Sequence, residues 1–130
     1  MVINRVKQLF DLSLDPVYVA AAFDAQPELA HFYKPWHGTR LARCWDPYEL
    51  AISAILGQLV SIQRATWLLA ELIAAYGEPA VNPLDGKPLQ LFPSPRRLAA
   101  ETLQQLKVPA SKKTAIIQLS QQVADDDSFF

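Results

Sequence analysis

The sequence predicts an all-α fold, with six or seven helices around a central apolar helix at about 47–60. Three observations point there. From Ile62 the apolar residues Ala65, Leu68, Leu69, Leu72, Ile73 and Tyr76 follow in steps of three and four, one face of an amphipathic helix. Helix-opening pairs recur at Asp15-Pro16, Asp46-Pro47 and Ser94-Pro95. No run of alternating apolar and polar residues makes a strand; only Leu89–Phe92 reads as a short extended piece.

Each element has its own signal. Residues 3–10 read as a short helix. Asp15-Pro16 opens another through about Ala25. Asp46 can cap the first free amides of the next helix, Pro47 suits its first position, and Glu49 completes a capping-box-like pattern. From Tyr48 to Val60 that helix is apolar nearly all round, the mark of a buried hub. Ser61 is a good N-cap for the helix that follows. Gly77 supplies its stop by entering the left-handed conformation. Residues 78–93 hold Pro79, Pro83, Pro88 and Asp85-Gly86, which reads as a long surface loop. Ser94-Pro95 then opens a short helix with Leu98, Ala99 and Leu103 inward. Ser111 precedes a last helix with Ala115, Ile116, Leu119 and Val123 at helical spacing. No internal repeat is present.

Composition narrows the function. With 130 residues, 51% of them hydrophobic and 19% charged, the chain is long enough for one real core and is not a disordered tail. One cysteine, Cys44, excludes an intramolecular disulfide. With two histidines it is also too little for a four-ligand Cys/His zinc site. Apolar runs are broken by Gln58 and Glu71 well short of a membrane span, and residues 1–7 lack the apolar stretch of a signal peptide. The expectation is a soluble cytoplasmic protein. Net charge is −1, against the basic balance usual in a stand-alone nucleic-acid binder. Yet residues 86–124 carry a balance of +5, through Lys87, Arg96, Arg97, Lys107, Lys112 and Lys113 against Glu101. A solvated face is the commoner meaning of such a segment.

Enzyme signatures are scarce. Gly38, Gly57, Gly77 and Gly86 lie too far apart for a phosphate loop. His31 and His37 do not share a helical face at metal-binding spacing. Cys44 reads as a small buried residue. Asp46 and Glu49 read as a cap and its partner rather than an acid/base pair. Asp125–Asp127 reads as an acidic terminus. No metal or cofactor is expected. The junction Gly57-Gln58-Leu59-Val60-Ser61 is the unusual place. Either Gly57 permits close helix packing with Leu59 in the core, or a turn presents Gln58 and Leu59 at a tip. Taken alone, the residues favour the first account.

Read with its surroundings, the junction carries a resemblance. Cys44-Trp45-Asp46-Pro47-Tyr48-Glu49 followed by Ala54-Ile55-Leu56-Gly57-Gln58-Leu59-Val60-Ser61 resembles the DNA-3-methyladenine glycosylase II branch of the helix-hairpin-helix DNA glycosylase superfamily. Further pieces follow in the family's order: residues 5–12 with Asp15-Pro16, then Tyr76-Gly77-Glu78-Pro79, then Phe92-Pro93-Ser94-Pro95 with Leu98-Ala99. The resemblance covers residues 4–124.

It implies base-excision repair by hydrolysis of the N-glycosidic bond of alkylated purines in double-stranded DNA, with no cofactor. Extruding a base costs a few kcal/mol. An apolar wedge in the vacated space offsets part of that cost. In the resembling family the residue after the motif's Gln is that wedge, here Leu59, with Gln58 beside it near the lesion. Ser61 and the following helix N-terminus would meet a phosphate, and Arg64 is a lesser candidate for the same contact.

The sequence also departs from the pattern. Ala42-Arg43 stands where the family has Pro-Gly. No Leu-Pro-Gly-x-Gly-like hairpin occurs, and no aspartate matches the family's catalytic one. No catalytic residue is therefore assigned, and glycoside chemistry needs such a carboxylate. The expectation is a single partial domain over 1–130, the front half of a glycosylase, unable to excise a base alone. Its uncovered apolar surface implies self-association or a chain that supplies the missing half. Two other readings stand beside this one. One is a non-catalytic helical module binding DNA or a partner chain through the Gln58–Ser61 turn and the basic 96–113 region. The other is a purely structural helical oligomer.

Overall fold

Two short polar side chains start two of the helices that hold the core. Asp46 accepts the backbone N–H of Glu49 at 3.1 Å, and Ser61 accepts that of Arg64 at 3.2 Å. Each satisfies one of the first-turn donors that a helix cannot satisfy itself. In the computed structural model, which describes residues 2–126 and 128–130, these caps open α4 (Pro47–Gly57) and α5 (Ile62–Tyr76). The other helices are α1 (Val2–Leu9), α2 (Pro16–Asp24), α3 (Pro27–Tyr33), α6 (Pro95–Ala99) and α7 (Ala110–Asp125). Among the described residues the fold is all-α apart from one small two-stranded ribbon. The chain divides into two compact units, residues 1–45 and 46–130.

In the first unit the Asp15 carboxylate accepts the N–H of Val17 and starts α2. Pro27 starts α3, and a 3-10 turn over Lys34–Trp36 follows it. Neither of these last two is among the helices expected from the sequence. Phe23 and Tyr33 stack with ring centroids 4.4 Å apart, joining α2 to α3. The Arg40 guanidinium donates to the carbonyls of Asp11 and Leu14. No described residue of α1, α2 or α3 is fully buried. Val17, Tyr18, Phe32 and Leu41 all stand open to solvent.

The second unit holds the core. Tyr48, Ile52 and Leu56 line one face of α4 at steps of four, and Leu68, Leu72 and Tyr76 do the same on α5. Leu98, Leu103, Leu106 and Ile116 complete the cluster. At roughly 25 cal/mol per Å² of apolar surface removed from water, each such side chain contributes about 1.5–3 kcal/mol. α7 packs on both α6 and α4. Tyr48 Oη and Ser120 Oγ meet at 2.7 Å, and the Tyr76 hydroxyl accepts the N–H of Gln105.

Several expectations are corrected. The hub helix ends at Gly57 rather than continuing to about 60, and only one of its faces is buried, with Leu50 exposed. Residues 78–93 are not an open loop. Strands β1 (Glu78–Val81) and β2 (Pro88–Leu91) pair antiparallel, from Glu78↔Leu91 to Val81↔Pro88. The prolines that read as loop signals are compatible with pairing because a two-stranded ribbon has only edge strands. Gly77 is extended (φ −61°, ψ 158°), not left-handed. It is needed for space: a Cβ there would overlap the Ile73 carbonyl and lie 2.7 Å from that of Leu91. Leu103 is inward but lies beyond α6, and Pro109, not Ser111, precedes α7. Cys44 is half-buried rather than buried. Of the acidic terminus, Asp127 lies outside the described residues.

Candidate nucleic-acid interface

The site is the link between α4 and α5. Helix α4 stops because Gln58 leaves the helical region (φ −60°, ψ 130°), and Leu59 follows at φ +58°. Left-handed backbone is unfavourable for any side chain with a Cβ, by roughly 1–2 kcal/mol, and is visited routinely only by Gly, Asn and Asp. Leu59 is also fully exposed. A leucine that is both strained and solvated gives nothing back to the fold through burial. Strain of this kind persists where surrounding structure enforces it, and it collects at functional positions. The account that placed Leu59 in the core is thereby overturned. Gly57 does not force close packing either, since a Cβ there would sit 3.7 Å from Ala65 Cβ, an ordinary contact.

Ser61 closes the turn as the cap of α5. The other first-turn amides of α5 have, as in any helix, no intrahelical acceptor, and the helix dipole favours an anion there. Arg64 lies in that first turn with its guanidinium 4.0 Å from the centroid of the Trp67 ring, a cation–π contact that holds the charge beside the turn. Gln58, Leu59, Ser61 and Arg64 are therefore gathered at one tip. Ile62 adds a second exposed apolar side chain. Behind the tip, Ser53, Gly57, Val60, Ile62, Ala65, Thr66 and Leu69 line a shallow crevice of about 260 Å³.

Sequence reasoning missed one member of this site. Lys112, from the first turn of α7, donates from Nζ to the carbonyl of Leu56 at 2.8 Å and to that of Gln58 at 2.7 Å. In the sequence it stands only as one cation of a basic stretch. No local signal connects residues 54 or more positions apart in the chain. Away from the tip, burial pushes the Tyr48 phenol above its ordinary value. Hydrogen bonds from Ser94 hold the exposed Glu78 carboxyl below the usual range.

No family model matches the chain. Escherichia coli "DNA-3-methyladenine glycosylase 2" is 38% identical over 120 residues, which is 89% of this chain and 39% of that protein. The resemblance to DNA-3-methyladenine glycosylase II holds, over a fragment of its length. A Mycobacterium tuberculosis protein, "Probable bifunctional transcriptional activator/DNA repair enzyme AlkA", is 35% identical over 121 residues, 93% of this chain and 24% of its own. The chain thus spans well under half of the curated relatives it matches.

Solved structures agree on the fold. The 3-methyladenine DNA-glycosylase of Archaeoglobus fulgidus superposes with a TM-score of 0.62 at 18% identity, over 92% of this chain and 42% of that one. The apo 8-oxoguanine glycosylase/lyase of Clostridium acetobutylicum gives 0.65 at 19%, over 94% and 42%. This is the fold of part of a DNA glycosylase. Among the described residues no helix is long and apolar enough to cross a membrane.

Proposed function

We propose that this chain is the DNA-engaging part of a base-excision repair glycosylase for alkylated purines, acting in the cytoplasm, and that residues 1–130 belong to one glycosylase-like domain. The single observation that carries this reading is Leu59, fully exposed and held at φ +58°. In this role Leu59 enters the space left by an extruded base and Gln58 lies beside it. Ser61 with the α5 N-terminus, and Arg64, meet the backbone phosphates. The Escherichia coli relative, a DNA-3-methyladenine glycosylase by name, supports the reaction class, hydrolysis of an N-glycosidic bond. The chain alone is expected to release no 3-methyladenine from alkylated DNA, because none of its aspartates matches the family's catalytic position. Detectable release by the purified chain contradicts that part.

The test is binding to two short duplexes at low salt, one intact and one carrying a tetrahydrofuran abasic analogue. The reading expects tighter binding to the abasic duplex. It also expects a log–log salt slope of about −0.9 for each phosphate neutralised. Equal binding to both duplexes, or none, contradicts it.

A second reading concerns partners. Val17, Tyr18, Phe32 and Leu41 of the first unit are exposed apolar side chains. They support self-association, or pairing with a chain that supplies further helices, as the second reading. Sedimentation velocity over a wide concentration range tests it, and a strictly monomeric chain at high concentration contradicts self-association.

A further inference from the structure

We infer that Lys112 is a positioning residue for the turn that presents Leu59. The role of the turn rests on the proposed DNA reading; the conformational claim about Lys112 does not. Helix α4 ends without a left-handed glycine, so its last carbonyls lack the usual C-terminal partners. Lys112 supplies them. Its ammonium donates to the carbonyls of Leu56 and Gln58, using two of its three N–H groups. Both are charge-assisted bonds, at the helix end where the dipole favours a cation.

The second bond matters most. The Gln58 carbonyl belongs to the peptide plane that leads into Leu59. Pinning that plane on one side, while Ser61 and α5 fix the chain on the other, leaves little freedom for the Leu59 φ angle between them. The bonds from Lys112 thus act against the cost of the left-handed leucine. The position of Lys112 supports this. It lies in the first turn of its own helix, where a cation opposes the dipole. Its charge is placed for the end of α4, not for α7. The α7 backbone that carries it is anchored on α4 by Ile116 and by the Tyr48–Ser120 pair.

The experiment uses the 130-residue chain with Lys112→Met, Lys112→Arg, Leu59→Ala and the Leu59→Ala/Lys112→Met double variant. Two readouts are taken. The first is the intraresidue HN–Hα NOE of Leu59 in the free protein, strong when φ is positive. It is expected to be strong in the wild type, lost in Lys112→Met and retained in Lys112→Arg, whose guanidinium still donates to carbonyls. The second is the ratio of affinities for the abasic-analogue and intact duplexes. Lys112→Met is expected to lower that ratio about tenfold, the scale of a lost hydrogen bond to a charged group. It should cause no further loss once Leu59 is Ala. Thermal unfolding checks that each variant is folded; where Lys112→Met is not, Lys112→Ala takes its place, with the same expected losses and the same overturning result.

A strong Leu59 NOE in folded Lys112→Met overturns the inference. So does an equal loss of affinity for both duplexes with a salt slope reduced by about 0.9, which marks a phosphate contact instead. If the wild type shows no abasic preference, the DNA reading fails, and the NOE alone decides the role of Lys112.

Discussion

Tyr48 and Ser120, 72 positions apart, share a buried hydrogen bond of 2.7 Å whose direction can be assigned. Ser120 has one hydroxyl proton and gives it to the Ile116 carbonyl at 2.6 Å. Tyr48 must therefore donate to Ser120. The pair fixes the register of α7 on α4, and with it the place of Lys112 beneath the turn.

The direction makes the two deletions unequal. Tyr48→Phe removes a donor and leaves Ser120 bonded to Ile116, so it should cost about 1 kcal/mol. Ser120→Ala strands the phenol in the core and should cost about 1–3 kcal/mol. The double variant strands no phenol and loses the shared bond only once, so its loss should be smaller than the sum of the two single losses. Urea unfolding of the four proteins closes the cycle.

Tyr48 also sets an alkaline limit. Burial holds its phenol above the ordinary value of 10.0 in the folded chain. A folded-state value above the unfolded one gives stability that is whole below pH 10.0 and lost as pH rises through the folded value. Tyr48→Phe should flatten the alkaline limb of a stability–pH profile while lowering its neutral plateau. An unchanged alkaline limb contradicts the assignment.

Gly77 and Gly57 should respond oppositely to alanine. At Gly77 a new Cβ meets the carbonyls of Ile73 and Leu91, and the backbone at the α5–β1 junction must move. A loss of about 2–3 kcal/mol is expected, as for overpacking. At Gly57 the new methyl meets only Ala65 Cβ at contact distance, and the helix gains. A rise of about 0.5–1 kcal/mol is expected there. Melting curves of the two variants distinguish them.

Leu59→Asn separates stability from recognition. Asparagine tolerates the left-handed region better than leucine, and no burial is lost because Leu59 has none. The variant should be about 0.5–1 kcal/mol more stable by urea unfolding. It should nevertheless lose the preference for an abasic duplex.

Much of this was legible in the sequence, for physical reasons. Asp46, Ser61 and Asp15 cap helices through contacts two or three residues long, so local pattern suffices. The apolar steps of α5 named Leu68, Leu72 and Tyr76 as inward. The hairpin was missed because its prolines speak only of breaking, while pairing across 78–91 depends on two segments at once. Gly77 ends α5 as its residue type suggests, but through space and not a left-handed turn, since a close approach by the Leu91 carbonyl leaves no local trace. The tip of the candidate site was legible only through the family resemblance. Its apolar leucine, taken alone, reads as core, and the Lys112 clamp comes from a helix more than fifty residues away.

The most direct measurement is whether Leu59 enters the duplex. A 2-aminopurine placed beside an abasic analogue reports unstacking as a rise in fluorescence. The account predicts a saturable rise with the wild-type chain and none with Leu59→Ala at matched occupancy. An equal rise with both proteins, or no rise with the bound wild type, would contradict it.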